Sequence, residues 1–317
     1  MEPTYTPPDY QLSRLLGSGQ TSYVYRAEHA DLGEVALKLP RPELHAQPVL
    51  RRMFENEVQF TLKLKHSSTV GALAGHPTGE RAFLALELCP GGTLDQRLLE
   101  RGQLPLELAY KLILDVARGL EHAHTRQILH RDVKPANVFL IREDKAKLGD
   151  FGTGLYLTEK SNERVGTAFY MAPELFQGHN ATVQSDVYSL GILAYEVIAS
   201  ERPFTGSTQQ ELMMAHLSGL PKNLRHHRPE LSSTLNSVIK TAMSRDQNKR
   251  FKTVREFISA FSRAAGLNAE TVQLPPQVGR ASRIRQPEGD VNAASAAKKA
   301  NAEDTKSSRF GWFRRKK

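Results

Sequence analysis

The rhythm of the chain changes once, and that change limits its fold more than any other feature. From Tyr10 to Leu39, β-branched and apolar residues alternate around glycine-bearing turn signals, as in LLGSGQTSYVYRAEHADLGEVALKL, which predicts short antiparallel strands. Leu50 to Leu64 places apolar Met53, Phe54, Val58 and Leu62 in a run without Gly or Pro and predicts one helix, and Arg81 to Leu88 predicts a further strand. Past the break at Pro90-Gly91-Gly92 the apolar spacing becomes helical, clearest over Glu107 to Thr125 and Ser185 to Ser200, and again over Leu231 to Met243 and Val254 to Ala265. Strands first and helices after imply an α+β chain, with the small sheet and the helices segregated.

The periodicity stops near Ala265. A chain of 317 residues, 39% hydrophobic and 24% charged, can hold one large globular domain and an appended segment. The formal net charge is +9, but Asn268 to Lys317 alone carries eleven Lys or Arg against five Asp or Glu. The globular part is therefore only mildly basic. It shows no reader motif and no basic run interleaved with stacking aromatics, so no nucleic acid is expected as a partner. A single cysteine, Cys89, and the lack of an apolar leader or of about 18 consecutive apolar residues point to a reducing, cytoplasmic setting with no transmembrane segment.

Several short segments carry chemistry suited to holding phosphate. In GSGQTSYV, Gly17 and Gly19, with Ser18 between them, would let backbone amides approach a phosphate with no Cβ in the way, although glycines in a hairpin turn also occur for turn geometry alone. Lys38, in VALK, closes a strand where an ammonium could reach the same phosphates; as a strand residue it could equally be a solvated edge. Holding it there needs a carboxylate from the Leu50 to Leu64 helix. Glu57 is the candidate and Glu55, on a different helical face, its competitor. The most specific segment is HRDVKPANVFL, His130 to Leu140, followed by GDFG at Gly149 to Gly152.

On these motifs the chain resembles the eukaryotic-type protein kinase family over about residues 10–265, and is similar to the compact Ser/Thr kinases of bacteria. The resemblance implies a two-lobed fold, with a small antiparallel-sheet lobe over 10–88 and a larger helical lobe over 91–265. It implies transfer of the γ-phosphate of ATP to Ser or Thr hydroxyls of protein substrates, autophosphorylation included. Asp132 would orient the acceptor hydroxyl and take its proton, and Lys134, beside the γ-phosphate, would favour Ser and Thr over Tyr as acceptor. Lys38 and Glu57 would form the phosphate-binding pair. Asn137 and Asp150 would hold Mg2+, with Mn2+ as a substitute, and Thr167 would lie near the acceptor. The adenine edge would meet the backbone of Glu87 and Cys89 behind a gatekeeper at Leu86, between apolar Val24, Ala36 and Phe139, three residues equally compatible with a plain core role. Glu174 would pair with Arg250, and Asp186 would anchor the catalytic segment; Asp186 could also serve as a carboxylate near a helix N-terminus. The competing class is a pseudokinase-type scaffold, whose mark is loss of Lys38, Asp132, Asn137 or Asp150; all four are present.

Three positions depart from the pattern or extend it. Ser22 replaces the third glycine of the loop and should stiffen it. Gly149 receives no function. Glu163 is expected to supply Arg131 with the negative charge that a phosphorylated residue provides in related kinases, with Ser161 or Thr158 as the alternative phosphosite. Residues 266–317 are expected to be a disordered tail ending in FGWFRRKK, where Phe310, Trp312 and Phe313 beside four basic residues suit weak, salt-sensitive contact with an anionic inner membrane surface or an acidic protein. A quiet solvated end is the alternative. Ser282, Ser307 and Ser308 in that tail are candidate autophosphorylation sites. Nothing in the pattern fixes an oligomeric state.

Overall fold

The computed structural model describes residues 5–159 and 166–267. Three hairpin-linked strands open the chain, β1 (Tyr10–Ser18), β2 (Ser22–His29) and β3 (Gly33–Pro40). The helix α1 (Pro48–Lys63) follows, and then β4 (Ala72–His76) and β5 (Phe83–Glu87) complete an antiparallel sheet of order β1-β2-β3-β5-β4. Alternation decides its two faces. Val35, Leu37 and Leu39 pack with Tyr10, Ala27 and Ala85 into one small core, while Leu84 joins Phe54 and Val58 of α1 in another. The helix begins two residues earlier than the apolar pattern suggested because Pro48 fits a first turn that needs no amide donor.

The second region is built on α3 (Leu106–Thr125), α5 (Val183–Ala199), α8 (Ser233–Ala242) and α9 (Val254–Ala264), whose buried faces form one large core. Around them lie α2 (Leu94–Arg101), α4 (Pro173–Phe176), α6 (Gln209–Ser218) and α7 (Leu224–His227), with the ribbons β6 (Ile128–Leu129) to β9 (Leu155–Tyr156) and β7 (Val138–Arg142) to β8 (Lys145–Leu148). Thr182 caps α5 by accepting from the Ser185 amide, while the Ser185 hydroxyl answers to the Thr182 amide. The connector after β5 is tied to β7 rather than free: Gly91 donates to the Leu140 carbonyl and Leu140 to the Gly92 carbonyl, each at 2.9 Å. The β7–β8 ribbon therefore lies against the link between sheet and helices.

Candidate active site

The upper wall of the site follows from strand register. Val24 lies opposite Lys38, and Ala36 opposite Leu86, so Val24, Ala36 and Lys38 share a face. Lys38 reaches Glu57 of α1 in a buried ion pair. Glu55 instead faces Arg51, 3.7 Å away on the outer side of the same helix, so geometry selects Glu57. Asp150 adds a second negative charge to this pair. Burial alone would lower the Lys38 pKa, but Glu57 and Asp150 together outweigh it and hold the ammonium charged. Two carboxylates sharing one lysine do not fare equally. Burial and the Asp150 charge push Glu57 up to about 7 despite Lys38. Asp150 is disfavoured by its depth in the cleft but held below its ordinary range by Lys38, His130 and Lys134.

The lower wall is a lattice around Asp132. Thr167 donates its amide to Asp132 Oδ1 at 2.8 Å, and Lys134 Nζ donates both to Asp132 Oδ2 at 2.7 Å and to the Thr167 hydroxyl at 2.6 Å. Asn137 Nδ2 donates to the Asp132 carbonyl at 2.8 Å and to Oδ2 at 3.1 Å. Arg131 and Asp150 both adopt left-handed backbone, with φ of 68° and 62°. Such residues cost on the order of 1–3 kcal/mol each and persist where the surroundings over-determine them. For Arg131 the surrounding group is Asp186 of α5, which accepts from the His130 and Arg131 amides at 2.9 Å each and from His124 Nε2 at 2.7 Å. The cap of α5 is Thr182, so Asp186 faces the catalytic segment and does not close the helix end. His130 links the two motifs: Nδ1 accepts from the Asp132 amide at 3.2 Å, so Nε2 carries the proton donated to the Gly149 carbonyl at 3.0 Å.

Between the walls lies a cavity of about 590 Å³ lined by Gly17, Val24, Ala36, Lys38, Glu57, Leu86, Glu87, Cys89, Phe139 and Asp150 among others. Val24, Ala36 and Phe139 are half-buried, open to this space, whereas the true core residues beside them are closed to solvent. Ser18 and Gly19 line a neighbouring cavity with Arg41 and Gln47, next to Gly17 at the rim of this one. Cys89 has its thiol pushed up to about 12 by burial and the Glu87 charge. Glu87 also acts through its side chain, which accepts from the Gly71 amide and from Lys147 Nζ, both at 2.6 Å. Sequence reasoning missed Val70 and Gly149 of this lining and Lys147, the partner of Glu87. Val70 sits in a stretch without periodicity. The one signal for Gly149 was its size: a Cβ there would lie 2.8 Å from Val70 Cγ2 and 3.0 Å from the Phe139 ring.

Farther along, Glu174 and Arg250 form a two-pronged ion pair with both contacts at 2.7 Å, and the Arg250 side chain is closed to solvent. Burial opposes charge on Glu174, yet Arg250 and Ser185 hold it below its usual range. Gly166, at φ 97°, leads into Thr167 with its Cα against the Arg131 carbonyl; a Cβ there would come within 2.5 Å. Thr158 is exposed in the turn after β9. Glu163, Ser161 and the tail residues Ser282, Ser307, Ser308, Phe310, Trp312 and Phe313 lie outside the described residues.

Among the described residues no three His, Cys, Asp or Glu side chains converge as a closed metal cage. The oxygen donors of Asn137 and Asp150 nonetheless suit Mg2+, which is commonly held by one or two protein ligands with waters and substrate phosphates completing its shell. No described helix is long and apolar enough to cross a membrane.

The protein kinase domain model matches residues 10–260. A probable serine/threonine-protein kinase of Clostridium perfringens is 32% identical over 257 residues, covering 78% of this chain and 37% of that protein. Serine/threonine-protein kinase PknB of Mycobacterium tuberculosis is 31% identical over 267 residues, 80% of this chain and 42% of its own length. Serine/threonine-protein kinase PknA of the same species is 30% identical over 299 residues, 90% of this chain and 68% of its own. The chain thus spans about two fifths of the length of the first two relatives.

Proposed function

The chain belongs to the protein kinase family, and from that premise we propose that it transfers the γ-phosphate of ATP to serine and threonine hydroxyls of protein substrates. The observation that carries this reading is the Asp132, Lys134 and Thr167 triangle, closed by contacts of 2.6–2.8 Å at the foot of a cleft whose upper wall carries Lys38 and Glu57. Asp132 orients the acceptor hydroxyl and takes its proton. Lys134, already within reach of both Asp132 and a threonine hydroxyl, offers its ammonium to the transferring phosphoryl oxygens. Lys38, kept charged by its two carboxylates, binds the α- and β-phosphates. Glu87 and Cys89 offer backbone groups to adenine, with Val24, Ala36 and Phe139 on its faces. Asn137 and Asp150 would hold Mg2+ or, as a substitute, Mn2+, which neutralises phosphate charge when bound.

The kinase domain in this reading spans residues 10–265, and 266–317 form an appended tail, basic enough for weak contact with an acidic partner or an anionic inner membrane surface. The single cysteine agrees with a cytoplasmic site of action. Incubation with γ-labelled ATP, Mg2+ and a generic basic protein tests the activity. Labelled phosphoserine or phosphothreonine with the wild type and none with Asp132→Asn is the expected result. Nucleotide binding without transfer by the wild type would instead make the chain a scaffold.

A further inference from the structure

Arg41 follows directly on β3, whose last residue, Pro40, pairs with Ser22 at the far side of the glycine-bearing turn. Its side chain spreads over that turn. Nε donates to the Gly19 carbonyl at 2.7 Å, one terminal nitrogen to the Ser18 hydroxyl at 2.5 Å, and the other to the Tyr23 hydroxyl at 3.2 Å. The guanidinium carbon lies 4.4 Å from the centre of the Tyr23 ring, and the Arg41 amide donates to the Thr21 carbonyl at 3.0 Å. Within the turn, the Gly19 amide donates to the Ser22 carbonyl at 2.9 Å. Arg41 does not line the cavity of Lys38 and Asp150; it lines the neighbouring one with Ser18 and Gly19.

Peptide planarity turns these contacts into a statement about direction. In a trans unit the carbonyl and the following N–H point opposite ways. The Gly19 carbonyl is drawn to the Arg41 side chain and the Thr21 carbonyl to its backbone amide, so the amides of Gln20 and Ser22 are directed away from Arg41. Carbonyl oxygens repel phosphate and amides attract it, so an arginine side chain that ties off the Gly19 carbonyl beside a backbone-held Thr21 carbonyl selects the anion-binding face of the loop. A glycine-poor loop has particular use for such a hold, because Ser22, only 2% exposed, removes backbone freedom at the usual third glycine. Lysine could not replace Arg41: three separately placed acceptors need the planar fork of donors.

We propose that Arg41 is a positioning residue, a latch that orients the peptide units of residues 19–22 to receive the phosphates of a nucleoside triphosphate without touching it. The inference rests on the reading of the cleft as an ATP site. Its test compares the full-length wild type with Arg41→Met and Arg41→Lys by calorimetric titration with MgATP and with adenosine, by steady-state kinetics, and by hydrogen exchange at the Gly19 amide. Arg41→Met is expected to weaken MgATP binding about tenfold and to raise KM for ATP to match, with kcat within about twofold. Adenosine affinity should not change, Gly19 should exchange faster, and Arg41→Lys should recover only part of the loss. Unchanged MgATP affinity with unchanged Gly19 exchange overturns the latch, as does an equal loss for MgATP and adenosine, which would mark general damage to the fold. Absence of MgATP binding by the wild type overturns the reading of the site and the latch with it; binding by the wild type without the Arg41 pattern overturns the latch alone.

Discussion

Two of the buried ion pairs among the described residues, Glu174–Arg250 and Lys38–Glu57, are built to opposite standards. In Glu174–Arg250 each carboxylate oxygen meets its own guanidinium nitrogen, and the remaining donors of Arg250 go to the Ser244, Gln184 and Arg245 carbonyls. Ser185 adds a further donor to Glu174. Lys38–Glu57 joins a strand to a helix, shares its lysine with Asp150, and leaves one carboxylate with a raised pKa. The first is over-determined and behaves as part of the scaffold. The second is held by fewer contacts, as the proposed role of Lys38 in binding phosphate would require.

Breaking the scaffold pair should give the largest effect. Arg250→Met leaves Glu174 charged and buried, and is expected to cost about 3–5 kcal/mol of unfolding free energy in urea titration. Arg250→Met with wild-type stability would erase the contrast. Lys38→Met is expected to lower turnover about 100- to 1,000-fold, while unfolding free energy changes by about 1 kcal/mol or less because Glu57 can take up a proton. A large stability loss there would mean that this pair is structural as well.

Acidity separates the pairs by sign. Glu174 and Asp186 are held below their ordinary values of 4.5 and 3.8, so on acidification the unfolded chain binds protons that the folded chain resists. Their contribution is complete above about pH 4.5 and is lost as pH falls below it. Glu57, raised from 4.5 to about 7, does the reverse: between those values the folded chain keeps a proton that the unfolded chain has released, so stability from this group declines as pH rises. Urea midpoints measured across this range should lose that decline in Glu57→Gln and keep the acid-side loss. The smallest effect is expected at Glu55. Its 3.7 Å contact with Arg51 is a surface i,i+4 pair, and Glu55→Ala should shift stability by about 0.3–0.5 kcal/mol and leave turnover unchanged. A turnover loss like that of a Glu57 variant would reverse the assignment of the lysine's partner.

How much of this was readable beforehand varied with the kind of force involved. The long helices α3, α5 and α9 were legible because burial imposes a period, and their ends fell within two residues of the apolar pattern. Short α2 buries only Leu94 and Arg97, and α6 only Leu212 and His216, too little to mark a face. The strand β4, ALAGH, lacks the β-branched residues that announce a strand. At the site, Asp132, Asn137 and Asp150 were marked by spacing. Arg41 and Lys147 were not, since each acts on backbone or side-chain partners far along the chain. The left-handed backbone at Arg131 and Asp150 carries no glycine to advertise it; at Arg131 a tertiary contact with Asp186, not local preference, holds it.

The thiol at the edge of the cavity sets terms for anyone designing molecules to occupy it. A cysteine beside this cavity invites an electrophilic warhead, but burial and the Glu87 charge push its thiol up to about 12, so little of it is thiolate at neutral pH and covalent capture should be slow. Selective inhibitors would gain more from shape, by reaching the floor between Val70 and Phe139 where Gly149 presents no side chain.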